Sequence, residues 1–217
     1  MRRELHVRFC EGPGVRFPRA TRLVVGFEHK PDAEGFLDAL RERLRRFSLE
    51  LHPDKTRLIA FGKLANATRK AQHLKGPAET FSFLGFTHLC AKTRTGRFLL
   101  ARHTMKARMR VKLHEVKAKV QYRRHLPIPE QGRWLGQVVR GYFAYYAVPT
   151  NIEALKSFRT QIIRTWHRAL RRRSQRDRTK WARISALAQR WIPPARVLHP
   201  WPDERLDVCT RGKSPVR

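Results

Sequence analysis

The hydrophobic pattern of this chain changes once, near Ala101, and that change limits what it can fold into. Before it, apolar residues come in short runs; after it, they recur every three or four residues over long stretches. "LVVGF", Leu23 to Phe27, has the length of a buried strand, and "KPDAEGFLDALRERLRRF" follows with Pro31 where a first helical turn tolerates proline. Phe36, Leu37, Leu40, Leu44 and Phe47 share one face of that helix. "SLELH" and "TRLIAFG" read as strands on either side of "PDK", and "FSFLGFTHLC" with "GRFLLAR" as a hairpin joined through "AKTRTG". Residues 23–101 thus read as an α+β piece.

Residues 102–191 read as helices. Met105, Met109, Leu113, Val116 and Val120 form one stripe, with Lys106, Arg110, Lys112, Lys117 and Lys119 largely off it. "LPIPEQG" breaks that helix, and a second is expected from about Gln131 to Ala147, stopped by Pro149. A third, with Thr150 and Asn151 as candidate N-caps, carries Ile152, Leu155, Phe158, Ile162, Trp166 and Leu170. A shorter fourth bears Trp181, Ile184, Leu187 and Trp191 before "IPP" ends it. Residues 1–22, with Gly12, Pro13, Gly14 and Pro18, hold no sustained period and are expected to be irregular. Residues 192–217 form a Pro-rich, basic tail expected to be extended.

Charge narrows the function. Lys and Arg number 48 against 17 Asp and Glu, a formal net charge of +31, and between Met105 and Trp191 there are 22 against four. Self-repulsion at this level disfavours a compact state unless a polyanion offsets it, and cations spread along the whole chain point to nucleic acid. Structured RNA is the expected partner, with DNA a second polyanion that the same charge would take. A membrane is not expected: no run of about 18 apolar residues exists, and "MRRELHVRFC" lacks a signal peptide's apolar segment, so a cytosolic protein is expected. Cys10, Cys90 and Cys209 stand far apart without a CxxC or Cys/His pairing, so neither a disulfide framework nor a metal site is expected, nor a cofactor. The ten histidines form no pair with a cysteine or carboxylate that would suit nucleophilic catalysis.

Several stretches, in order from Leu23 to Val208, resemble group II intron-encoded proteins, the reverse transcriptase–maturases that help their own intron RNA to splice. "LELHPDKTRLIAFG" is similar to the palm segment ending in a Lys-Thr pair, here Lys55 and Thr56, and "FSFLGF" resembles the hairpin that closes the palm, with Phe83, Leu84, Gly85 and Phe86. "EQGRWLGQVVRGYFAYYAVPTN" resembles the maturase-specific region, followed by the basic helix "FRTQIIRTWHRALRRRSQR". The resemblance implies a partial reverse transcriptase palm followed by a helical thumb and maturase bundle, and assistance to splicing by stabilising folded RNA.

It also implies what this chain lacks. Polymerase chemistry in the family needs a Tyr-Ala-Asp-Asp turn directly before "LVVGF", because paired carboxylates hold two metal ions. Here the corresponding residues are Arg19, Ala20, Thr21 and Arg22, and only the alanine matches. The fingers and the strand carrying the third carboxylate are missing as well, so no catalytic or metal-binding residue is expected and the chain alone should not polymerise DNA. A truncated or frame-shifted reading frame resuming at Leu23 would account for this pattern. Two other readings stay open: the C-terminal part of an active RNA-directed DNA polymerase completed by another polypeptide, and a nonspecific basic nucleic-acid-binding relic.

"RGYFAYYAVP", Arg140 to Pro149, poses the sharpest choice between core and binding surface. Tyr142, Phe143 and Tyr146 fall on a broad face with Leu135, Val138 and Val139 and are expected to pack, whereas Tyr145 lies off that face and is expected to stack on RNA. Trp166, Trp181 and Trp191 sit on apolar stripes and are expected in the core. Phosphate contacts are assigned to Arg133, Arg140, Arg164, Arg168, Arg171, Arg172 and Arg173, although cations also suit a helix C-terminus.

Overall fold

The computed structural model describes residues 3–8, 22–65, 69, 71, 73, 76–174 and 179–201. The chain divides into two compact units, Met1–Ala101 and Arg102–Arg217. Among the described residues, strands and one long helix occupy the first and four helices the second, an α+β composition.

In the first unit, β1 (Arg3–Arg8), β2 (Arg22–Phe27) and β3 (Arg57–Ala60) form an antiparallel sheet in the order β2-β1-β3. β1 lies in the stretch expected to be irregular, and that expectation is corrected for Arg3–Arg8. Its six residues are too few to display a period of their own, but the register places Arg3 opposite both Phe27 and Ala60, so ladders on both sides supply what local pattern lacks. The rest of that stretch, 9–21, lies outside the described residues, and so do Arg19, Ala20 and Thr21.

Helix α1 (Lys30–Arg45) has proline in its first turn, and the Phe36 ring packs 5.2 Å from that of Phe27. Ala33 and Leu44 are buried, but Phe47 does not join the expected face. The helix has ended two residues earlier, Ser48 takes a left-handed conformation at φ 55°, and Phe47 is 66% exposed. "SLELH" is likewise not a strand beyond an isolated bridge at Leu51; Pro53–Lys55 makes a single 3₁₀ turn leading into β3.

A second sheet has the order β4-β5-β6, from β4 (Phe81–Phe83), β5 (Phe86–Lys92) and β6 (Phe98–Thr104). "FSFLGF" is itself a two-residue hairpin in which Phe83 pairs with Phe86. Leu84 and Gly85, at φ 46° and 80°, both have the left-handed backbone that such a tight turn demands. Glycine adopts it freely, whereas Leu84 does so under strain, with its side chain exposed.

The second unit contains α2 (Lys106–Tyr122), α3 (Ile128–Tyr146), α4 (Ile152–Arg171) and α5 (Trp181–Trp191). α3 begins three residues before Gln131 because Pro129 falls in its first turn, where a missing N–H costs nothing. Leu135, Val139 and Phe143 of α3, Leu155, Phe158, Ile162 and Trp166 of α4, and Ile184 and Ala188 of α5 meet in one core, with Val116 and Val120 of α2 against them. Two glycines allow α5 to come this close. A Cβ on Gly132 would meet the Trp191 ring at 2.4 Å, and one on Gly136 would meet the Trp191 carbonyl oxygen at 2.5 Å.

Asn151 occupies the N-cap position of α4, yet its side chain does not cap the helix. Its Oδ1 accepts from the Thr104 N–H at 2.9 Å, while its Nδ2 donates to Thr104 Oγ1 at 2.7 Å and to the Tyr146 carbonyl at 2.8 Å. Thr150 acts beside it, accepting from the Arg102 N–H at 2.9 Å. The pair reads as capping residues in sequence but works as a clasp between the start of α4 and the end of β6. After α5 the chain runs irregularly back over the bundle, where the Leu198 and His199 N–H groups donate to the Ala147 carbonyl at 2.9 and 3.2 Å. Residues 202–217 of the expected tail lie outside the described residues.

Candidate nucleic-acid interface

The basic surface of the second unit is organised around the end of α2. A helix C-terminus leaves carbonyls without partners, and here the next turn presents those of Arg123, Arg124 and Leu126 together. Gln131, buried at the start of α3, donates from Nε2 to all three at 2.8, 3.0 and 3.0 Å. Its Oε1 accepts from the Trp166 indole at 2.9 Å. Sequence reasoning missed Gln131. The signal was its spacing, four residues before Leu135 and eight before Val139, which puts a polar residue on the buried stripe.

Arg173, one of the arginines expected to meet phosphate, joins this knot. Its Nε donates to the Arg124 carbonyl at 2.6 Å and its fork also reaches the Leu126 carbonyl. The two carbonyls thus share donors from Gln131 and Arg173, which ties the guanidinium to the end of α2.

Next to the knot, α2 and α4 enclose an open groove of about 220 Å³ lined by Lys117, Arg124, Arg168 and Arg172, with Gln121 and Thr165 as polar neighbours and Val120 and Ala169 as its apolar floor. None of its lining residues is acidic. Of the expected phosphate contacts, only Arg168 and Arg172 come together here, one in the last turn of α4 and the other at its C-cap. Lys117 and Arg124 were not singled out, because the approach of α2 to α4 follows from tertiary packing and leaves no local pattern. Arg164 and Arg171 are exposed on α4, and Arg133 and Arg140 on α3, but none of these four lines the groove. The acid of α2, Glu115, is held by Lys119 at 2.9 Å and Lys112 at 3.1 Å. Hydrogen bonds from Lys119 and then Lys112 keep its carboxyl below the usual carboxylate range.

"RGYFAYYAVP" contributes both to the core and to the surface. Tyr142 and Phe143 are buried, and Tyr142 stacks on Phe158 with centroids 3.7 Å apart and planes 8° from parallel. The Tyr142 hydroxyl is buried and makes no hydrogen bond of good geometry, and burial pushes the phenol from 10.0 up to about 12, opposed by the nearby Thr104 hydroxyl. Tyr146 is half-buried, and Tyr145, 51% exposed, meets its ring edge-on at 4.8 Å. Both tyrosines border a second cleft, between α2 and α3. Burial raises the Tyr146 phenol, the neighbouring Tyr145 adds to the rise, and Arg108 opposes it. Trp166 is fully buried and Trp191 half-buried. Trp181 departs from expectation: at the first turn of α5 it is 50% exposed and lies edge-on to His167 at 5.5 Å.

In the first unit Lys55 is exposed at the end of the 3₁₀ turn and Thr56 follows it half-buried. Phe83 is half-buried and Phe86 buried on either side of the Leu84–Gly85 turn. The Cys90 sulfur accepts from the Gly62 N–H at 3.3 Å. Cys10 and Cys209 lie outside the described residues. Among the described residues no group of three or more His, Cys, Asp and Glu gathers as a metal ion would need, and no helix is long and apolar enough to cross a membrane. No protein-family model matches the chain, and no curated protein matches it.

Proposed function

We propose that this chain binds structured RNA through the helical unit, in the manner of a group II intron maturase. On this reading the first unit is the remnant of a reverse transcriptase palm and the second a thumb and maturase bundle. One observation carries the proposal: the groove between α2 and α4 gathers Lys117, Arg124, Arg168 and Arg172 with no acid among its lining residues. Four cations, Lys117 and Arg168 on two helices and Arg124 and Arg172 at their C-terminal ends, suit the phosphates of a folded RNA backbone, where position and shape decide binding more than base identity. The protein adds no chemistry of its own. It offsets phosphate repulsion and so favours the compact RNA in which a ribozyme cuts and joins.

The test is a competition assay at near-physiological salt, with labelled group II intron RNA against excess unrelated structured RNA. Retention of the intron RNA is the expected result. Displacement in proportion to competitor phosphate would reduce the function to charge alone.

A further inference from the structure

We infer that the cleft between α2 and α3 seats one unpaired nucleotide of a bound RNA strand, with its base stacked on Tyr145. The inference rests on the RNA-binding reading above and adds a second, chemically different subsite to it. This cleft encloses about 460 Å³, and the groove on the other flank of α2 is smaller and lined chiefly by cations.

Its walls divide by chemistry. Tyr145 and Tyr146 offer aromatic surface on α3, their rings meeting edge-on at 4.8 Å. Val111, 69% exposed, faces them from α2 as apolar surface. Between them Gly141 leaves the helix backbone bare, and a Cβ there would meet nothing within 4 Å. A planar ring can therefore approach the helix closely. Arg108 borders the same cleft as a cation for the attached phosphate, and Gln137 supplies an amide that can pair with a base edge. Lys112 and the acid Glu115 line it too, paired with each other at 3.1 Å, and a second cation, Lys119, holds Glu115 at 2.9 Å. A flat π-surface, a bare backbone floor and a rim cation together fit a nucleotide; a duplex keeps its bases stacked inside and could present none to this cleft.

The experiment uses the full chain and two fluorescent probes, a short oligouridylate and a blunt RNA duplex of equal length, titrated over a range of salt. Tyr145→Ala should weaken oligouridylate binding by about 5- to 150-fold, the span of one lost base–aromatic stack, without changing the salt slope or duplex binding. Tyr145→Phe should retain most of the affinity. Gly141→Leu guards against misfolding as the cause: it fills the floor and removes a helix-interior glycine, so it should melt at or above wild type and still lose oligouridylate. Wild-type oligouridylate binding by both Tyr145→Ala and Gly141→Leu would overturn the inference, and so would equal losses on both probes. A wild-type protein that binds the duplex but not the oligouridylate would overturn the inference alone, whereas one that binds neither would also overturn the RNA-binding reading.

Discussion

Tyr142 and Arg173 show how one side chain's surroundings decide whether it serves the fold or a ligand. The Tyr142 ring is tightly stacked while its hydroxyl is buried without a hydrogen bond of good geometry. Tyr142→Phe should therefore keep the stack, lose no hydrogen bond of good geometry and leave stability unchanged or higher in thermal melts. It should also alter the alkaline limb. The folded-state pKa lies above the unfolded one, so the folded chain holds this proton more tightly; the stability linked to it is intact below about pH 10 and lost as pH rises toward 12. Removing the phenol should make unfolding less steep with pH across that window, and identical pH profiles would refute the assignment. Arg173→Ala should cost about 1.5 to 3 kcal/mol through the charge-assisted hydrogen bonds it removes, although Gln131 still donates to both carbonyls, with little effect on the salt dependence of RNA binding. A lowered salt slope at wild-type stability would return Arg173 to the phosphate surface.

At the scale of elements, the approach of α5 to α3 depends on two positions without side chains. Gly136→Ala drives a methyl group against the Trp191 carbonyl, which cannot turn away as a side-chain tip could. The gain in helix propensity, about 1 kcal/mol, opposes an overpacking cost of about 1 to 3 kcal/mol. Net destabilisation in denaturant titrations is expected; net stabilisation would mean that α5 shifts freely. These elements differ in how far the sequence revealed them. The stripe from Met105 to Val120 and the apolar face of α4 were legible because a helix writes its buried side at a fixed spacing. β1 was not, because its stability comes from two distant ladders, nor was the end of α1 before Phe47, set by Ser48 turning left-handed. The candidate site was legible only by residue type. Arginines on α4 announced a basic surface, but only packing brings Arg168 and Arg172 together with Lys117 of α2 and Arg124 just after it, and ties Arg173 to the carbonyls at the end of α2.

For the molecule as a whole, the excess of cations predicts binding that is strong in dilute salt and falls steeply as salt rises. Arg168→Ala with Arg172→Ala should lower the log–log slope by about 1.4 to 1.8, at 0.7 to 0.9 per phosphate contact, while melting changes little because both side chains are exposed. An unchanged slope would remove the α2–α4 groove from the interface. Trp166→Ala should act in the opposite way, costing about 3 to 5 kcal/mol of stability and affecting binding only through the unfolded fraction. The knot beneath Trp166 has one more consequence, in the time domain. Its indole proton points at the buried Gln131 amide, and Gln131 in turn holds the end of α2, so water can reach that proton only when α2, α3 and α4 separate together. Hydrogen exchange at this one site should therefore be among the slowest in the chain and should report the opening of the whole helical unit.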